Sequence, residues 1–188
     1  MSHNTTEAAI ANLTETACYQ PGGTGILALS SIIDLIKSFD GDCRDLGRYS
    51  SVLIGNGNKR TRFYSVYGVH HHSTSNHKNS VVSQGLRYIN DPSSGIDSSI
   101  TPRQLLNADI LHELRTRKAA DERIIIVMDA NEHIHDGDLC KELSTTLGLV
   151  ELSSQWCGSA INTHERGVRK LIQEYGYLLS LYPRDLLG

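Results

Sequence analysis

The stretch that decides the fold is RIIIVMDANE, residues 123–132. Its β-branched run at 124–127 has no polar face, which is typical of a central strand buried on both sides of a sheet. The run leads to an acid, Asp129, and an amide, Asn131, follows two residues later. Because side chains two residues apart lie on the same side of an extended chain, we expect both at one open edge of the sheet.

Two strands that precede this one are predicted to form a hairpin. Residues 49–54 and 61–67 are rich in apolar and β-branched side chains, and the link GNGN at 55–58 contains an Asn-Gly pair. Asn-Gly supplies the positive φ that a tight hairpin turn needs. A further short strand is expected at 26–29, directly after the glycine-rich break at 22–25.

Two helices and one more strand complete the predicted order. A helix over 101–118 opens on a Thr-Pro pair suited to an N-cap and first turn, and it ends in basic residues that suit the negative helix terminus. A helix over 138–147 has leucines at a spacing of four and Gly148 as its C-cap, and a short strand follows at 149–152. This order predicts a single α/β domain built as a layered sandwich, whose hairpin makes the sheet mixed rather than purely parallel.

Composition bounds the class of protein. An apolar fraction of 39% and a charged fraction of 21% are ordinary for a globular domain of 188 residues. The net charge of −3 provides no basic field, so any contact with nucleic acid is expected to be weak and local. No signal peptide and no apolar run of membrane length occur, so we expect an intracellular protein, cytoplasmic or nuclear rather than secreted, without membrane contact. The four cysteines lie far apart and are expected to be free thiols.

The polar residues at the strand ends carry the chemistry. Asp129 could orient a water molecule or contact a hard Mg²⁺ ion, and the Asn131 amide could donate to a phosphate oxygen. Tyr67 ends the preceding strand, where its phenol could donate to the same group. An Asp or Asn after a strand is also a common turn or helix cap, and a buried tyrosine can be satisfied by the backbone. The residues alone leave both interpretations open.

A wider pattern gives these residues a context. Five segments occur in a suggestive order and spacing: YQPGGT at 19–24, LGRYS at 46–50, SVY at 65–67, MDAN at 128–131 and THERG at 163–167. Together they resemble the endonuclease/exonuclease/phosphatase (DNase I-like) family, and more narrowly its divergent members in retrotransposon-type open reading frames. The resemblance implies part of that family's four-layer α/β fold. It also implies a phosphodiester hydrolase that depends on Mg²⁺, with Mn²⁺ as a substitute.

The resemblance also implies a set of site residues. Asp129 and Asn131 match the family's Gly-Asp-x-Asn motif, with Met128 in place of the glycine. Tyr67 matches a tyrosine that contacts the scissile phosphate, and His164 matches a segment beside the site. On this basis the candidate catalytic residues are Tyr67, Asp129, Asn131 and His164. Asp129 is also the candidate metal ligand.

Departures from the family pattern bear on activity. The family takes a metal-holding glutamate from upstream of the Gly-Gly segment and ends on Ser-Asp-His. Here only 21 residues precede Gly22, without a visible strand-borne acid, and no such triplet occurs before Gly188. We therefore expect an incomplete or inactive copy, in which a partner or missing segments would complete the sheet; the alternative is a non-catalytic α/β binding domain or a degenerate fragment. The expected divisions are a weakly ordered segment at 1–18, the partial domain at 19–170 and a divergent tail at 171–188.

The region 70–99 is rich in His, Ser, Asn and Gly and is expected to be mainly a long surface loop, with a helix conceivable only around 81–89. His70, His71 and His72 suggest a zinc site. Consecutive residues of an extended loop point in different directions, however, and no cysteine pair completes a tetrahedron. We expect a solvated loop.

Overall fold

The computed structural model describes residues 2–4, 23–56, 59–70, 80–132, 137–152 and 176–180. The elements in chain order are β1 (Ser2–Asn4), β2 (Gly25–Leu27), a 3-10 helix (Ser30–Leu35), β3 (Ile36–Gly41), β4 (Tyr49–Asn56), β5 (Lys59–Tyr67), α1 (Val81–Asn90), a second 3-10 helix (Pro92–Ser94), α2 (Pro102–Ala119), β6 (Arg123–Asp129), α3 (Asp138–Leu147), β7 (Val150–Glu151) and β8 (Gly176–Ser180).

The main sheet has six strands in the order β3, β4, β5, β6, β8, β7. β5 and β6 run parallel, and every other neighbouring pair is antiparallel. The predicted hairpin is confirmed, since β4 and β5 pair from Tyr49 and Val66 to Asn56 and Lys59. The chain is therefore a mixed α/β sandwich, as predicted, and β6 is an interior strand.

The two predicted helices are also confirmed. α2 begins with a capping box, in which the Thr101 hydroxyl accepts from the Gln104 backbone N–H at 3.2 Å and the Gln104 side chain accepts from the Thr101 N–H at 2.8 Å. Leu106, Ile110 and Leu114 form its buried stripe, which packs with leucines of α3 against β4, β5 and β6. Capping and the apolar spacing together explain why a sequence pattern located α2 so closely.

The exposure of β6 contradicts the expectation of a strand buried on both faces. Ile124, Ile126 and Met128 are buried under the helices, but Val127, on the opposite face, is 52% exposed. β6 is therefore not buried on both sides by the described part of the chain. β2 and the first 3-10 helix cover only part of that second face, and they leave a groove of about 520 Å³ whose apolar lining includes Leu27 and Val127.

Besides β1, in the segment expected to be weakly ordered, and the two 3-10 helices, three elements depart from the sequence prediction. Residues 81–90 form α1, capped by the Ser80 hydroxyl, so the region expected to be mainly loop contains a helix at the one place where the sequence left a helix open. β3 was not predicted, because its sequence IKSFDG has little strand character and it is held by pairing with β4. β8 lies within the segment expected as a divergent tail, yet it occupies the sheet between β6 and β7. None of the helices in the described ranges is long and apolar enough to cross a membrane.

Candidate functional site

The candidate site lies where β5 and β6 end. Tyr67 and Asp129 are the last residues of these strands and stand directly opposite each other in the parallel register. Both are partly exposed. The fold thus brings together two residues that are 62 positions apart in the chain, at the carboxyl edge of the parallel pair.

Short contacts join the two strand ends. The Gly68 N–H donates to the Asp129 carbonyl at 2.6 Å, and the Asn131 side-chain Nδ2 donates to the Gly68 carbonyl at 2.5 Å. A Cβ at position 68 would lie 2.3 Å from the Ala130 carbonyl oxygen, so this close approach requires glycine. The connections that leave β5 and β6 are therefore tied to each other.

Asn131 is more deeply buried, and more closely bound to its neighbours, than the prediction of a phosphate-binding residue implies. It is only 7% exposed, it has a left-handed φ of 48°, and its N–H donates to the Asp129 carboxylate at 3.3 Å. No residue in the described ranges donates to its Oδ1, which is buried. One hydrogen of this amide is donated to the Gly68 carbonyl, and the amide nitrogen carries a second hydrogen. Asp129 and Asn131 therefore form the turn after β6 that the sequence left open as an interpretation, and the Asn131 side-chain amide remains a hydrogen-bond donor.

A buried arginine that the sequence analysis missed supports these strand ends. Arg103, in the first turn of α2, is 4% exposed. Its Nη1 donates to the carbonyls of Val69 at 2.6 Å and Asn131 at 3.2 Å, and its Nη2 donates to the Ala130 carbonyl at 3.2 Å and to the Glu132 carboxylate. A signal was available, because Arg103 lies three residues before Leu106 on the buried stripe of the helix.

Glu132 is the acid nearest in sequence to the Asp129 and Asn131 pair, but its carboxylate is already engaged. One oxygen accepts from Arg103 and the other accepts from the Cys140 N–H at 2.8 Å, in the first turn of α3. Burial, and then the charge of Glu132, raises the pKa of the Cys140 thiol, so this cysteine is not an activated nucleophile. Glu132 therefore builds the site rather than serving as a free base.

The fourth candidate catalytic residue, His164, lies outside the described residues, as do His71 and His72. His70 is exposed. Of the candidate residues, the structure places Tyr67, Asp129 and Asn131 together.

A second polar cluster joins the segment after β3 to α2. Within the described ranges, the one group of three metal-ligating side chains within 4.8 Å of each other is Asp42, Cys43 and Asp109. Buried Arg48 donates to both Asp42 oxygens at 2.6 and 2.7 Å and to Asp109 at 2.7 Å, and Arg44 binds Asp109 at 2.7 and 2.9 Å. Two guanidinium groups already neutralise both carboxylates, so this is an ion-pair network and not a cation site.

The fit of Asp129 to a divalent cation follows from its surroundings. Among the described residues, Asp129 is not part of a group of three potential metal ligands. Mg²⁺ keeps several waters and binds proteins through one or two carboxylates together with phosphate oxygens. A single, partly exposed carboxylate at the strand edge fits a weakly held Mg²⁺ and does not fit a tight structural metal.

A scan against models of known protein families finds no match for this chain, and a search of curated proteins finds no similar sequence. The likeness of the five segments to the endonuclease/exonuclease/phosphatase family therefore stays a prediction.

Proposed function

We propose that the edge formed by Tyr67, Asp129 and Asn131 binds a phosphate group together with Mg²⁺ or Mn²⁺. The chain would be a DNase I-like phosphodiester hydrolase of mobile-element type whose hydrolysis is very slow or absent. The observation that carries this proposal is the direct pairing of Tyr67 with Asp129 at the carboxyl ends of two parallel strands. Ligands of open α/β sheets bind outside the carboxyl ends of such strands.

Each residue has a defined task in this proposal. The Tyr67 phenol donates to a phosphate oxygen, and the second hydrogen of the Asn131 amide donates to another. The Asp129 carboxylate holds the cation, which when bound offsets negative charge on the phosphate. Gly68 and Asn131 keep the two strand ends at a constant separation.

The weak activity follows from the groups that the site contains. Phosphodiester hydrolysis needs a positioned water, a base to accept its proton and a cation beside the phosphate. Glu132 is held by Arg103 and α3, so it does not serve as that base. Contacts that bind substrate and transition state equally well do not accelerate the reaction.

A metal titration tests the site. Binding to the folded state at ten times the dissociation constant stabilises a protein by about 1.4 kcal/mol, which corresponds to a Tm rise of about 3–6 °C for a domain of this size. We expect such a rise with Mg²⁺ or Mn²⁺ for the parent protein and for Asp34→Asn, which changes an exposed acid on the first 3-10 helix. Asp129→Asn should show no rise. An equal response from all three proteins would show that the cation binds elsewhere.

The second candidate is a non-catalytic α/β domain, and the tight packing of Asn131 favours it. In that case Asp129 and Asn131 serve only as a turn after β6. Neither divalent cations nor inorganic phosphate would then change the Tm of the parent. A histidine metal site predicts instead a response to Zn²⁺ that does not depend on Asp129.

A further inference from the structure

We infer that Arg103 is the positioning residue of the strand-edge site. It binds the backbone carbonyls that follow β5 and those that follow β6 at the same time, and it thereby sets the geometry of Asn131 and of the two strand ends. The inference rests on the proposed phosphate and cation site. Arg103 does not touch the ligand; it acts through the backbone. Its planar guanidinium has donors in a fixed fork, which suits several acceptors in one plane.

The contacts come from separate parts of the chain. Val69 follows β5, whereas Ala130 and Asn131 follow β6, and all three carbonyls accept from the same guanidinium. Arg103 itself belongs to α2, and through Glu132 it is linked to the first turn of α3. One side chain therefore connects four elements around the candidate site.

The effect on Asn131 is specific. Its backbone carbonyl is bound by Arg103, and its side-chain amide is bound to the Gly68 carbonyl. Its φ of 48° lies in the left-handed region, which Asn adopts more readily than most residues, and the two contacts hold the residue in that conformation. Without the guanidinium, the three carbonyls would lose this buried donor and the Glu132 carboxylate would lose its positively charged partner. Asn131 and Gly68 would then shift relative to Asp129.

Arg62 provides a matched control. It is also buried and also bound to a glutamate, Glu122, with Nε to Oε2 at 2.6 Å. It lies opposite Ile124, near the start of β6, whereas the candidate site is at the end of that strand. A substitution at Arg62 therefore perturbs a comparable ion pair at the other end of the same strands.

The experiment compares Arg103→Lys and Arg62→Lys, both of which keep the positive charge and lose the forked N–H donors of the guanidinium. Mn²⁺ affinity is measured by water-proton relaxation, and the amide resonances of Gly68 and of the Asn131 side chain are followed by ¹⁵N–¹H NMR without metal. Arg103 holds Asn131, whose backbone N–H donates to the Asp129 carboxylate, and loss of such a supporting group lowers metal affinity by about 10–100-fold. We expect such a loss in Arg103→Lys, accompanied by shifts of both resonances. Arg62→Lys should stay within about twofold of the parent.

Each other outcome is decisive. If Arg103→Lys binds Mn²⁺ as the parent does, or leaves both resonances in place, the inference is overturned. If the parent itself binds no Mn²⁺, the proposed function fails, and the NMR comparison alone decides whether Arg103 positions the strand ends. Should Arg103→Lys not fold, Glu132→Gln replaces it, because it keeps the shape and removes the charge that anchors the guanidinium. Unchanged Gly68 and Asn131 resonances in that variant would also overturn the inference.

Discussion

At the scale of single residues, Asn131 combines a backbone requirement with a side-chain contact. Its left-handed φ of 48° suits Asn or Gly, and its Nδ2 holds the Gly68 carbonyl. Two substitutions separate these roles. Asn131→Gly keeps the backbone conformation and loses the amide, while Asn131→Ala loses the amide and also strains the backbone.

We expect Asn131→Ala to lower the free energy of unfolding by about 2–3 kcal/mol, the sum of one net hydrogen bond and the higher cost of the left-handed conformation for Ala than for Asn, whose polar side chain can bond locally. Asn131→Gly should cost about 1–2 kcal/mol, from the hydrogen bond and the added freedom of the unfolded chain. Urea denaturation of the three proteins measures both values. Finding the glycine variant to be the less stable of the two would show that the backbone conformation is not what Asn131 provides.

Tyr64 makes stability depend on pH in the alkaline range. Burial, and then the charge on Glu113, raises the pKa of its phenol, which donates to Glu113 Oε1 at 3.1 Å. In the unfolded chain the phenol has a pKa of about 10. The folded-state pKa is the higher one, so its stabilisation is complete below the unfolded-state pKa and is lost as the pH rises above it, by about 1.4 kcal/mol per pH unit.

The Tyr64→Phe variant removes this ionisation. Its unfolding free energy, measured by urea denaturation between pH 9.5 and 11, should fall less steeply with pH than that of the parent. The difference in slope should approach that of one proton, about 1.4 kcal/mol per pH unit. Lysine titration in the same range is common to both proteins and cancels in the comparison. Equal slopes would mean that Tyr64 ionises in the folded state as readily as in the unfolded one.

At the scale of elements, β6 has one covered face and one partly open face. Ile126 belongs to the core that α2 and α3 cover, whereas its neighbour Val127 is 52% exposed on the other side. A buried Ile→Ala change typically costs about 2–5 kcal/mol. Half-exposed side chains contribute much less, because water already reaches them in the folded state.

We therefore expect Ile126→Ala to lower the free energy of unfolding by about 2–5 kcal/mol and Val127→Ala by less than about 1 kcal/mol. The two positions are adjacent on one strand, so strand propensity and location are closely matched. Denaturant unfolding at low protein concentration gives both values. A cost for Val127→Ala close to that for Ile126→Ala would indicate that this face is covered in solution.

At the scale of the whole molecule, the proposal predicts a recognisable site with almost no turnover. In a plasmid-nicking assay with excess Mg²⁺ or Mn²⁺, the parent should not exceed Asp129→Ala, which reports any contaminating nuclease. The physical reason is that the phosphate contacts at the strand edge do not by themselves supply a base for the attacking water. Robust nicking by the parent and none by Asp129→Ala would contradict the prediction and show that other residues complete the machinery.

Local patterns were sufficient for the elements whose signals are short-range. The Asn-Gly link between two strand-like segments predicted the β4 and β5 hairpin, the Thr-Pro pair and the basic end predicted α2, and the β-branched run predicted β6. The placement of Asp129 and Asn131 at a strand end also followed from local sequence. Each of these depends on turn, cap or side-chain periodicity within a few residues.

Long-range pairing decided the rest. The alignment of Tyr67 with Asp129 depends on the parallel register of β5 and β6, which no local pattern contains. β3 is a strand only because it pairs with β4. Arg103 binds carbonyls from two strand ends that are distant in sequence only because α2 places it beside them. A buried charge is stable where several acceptors converge on it, and that convergence is a property of the folded chain.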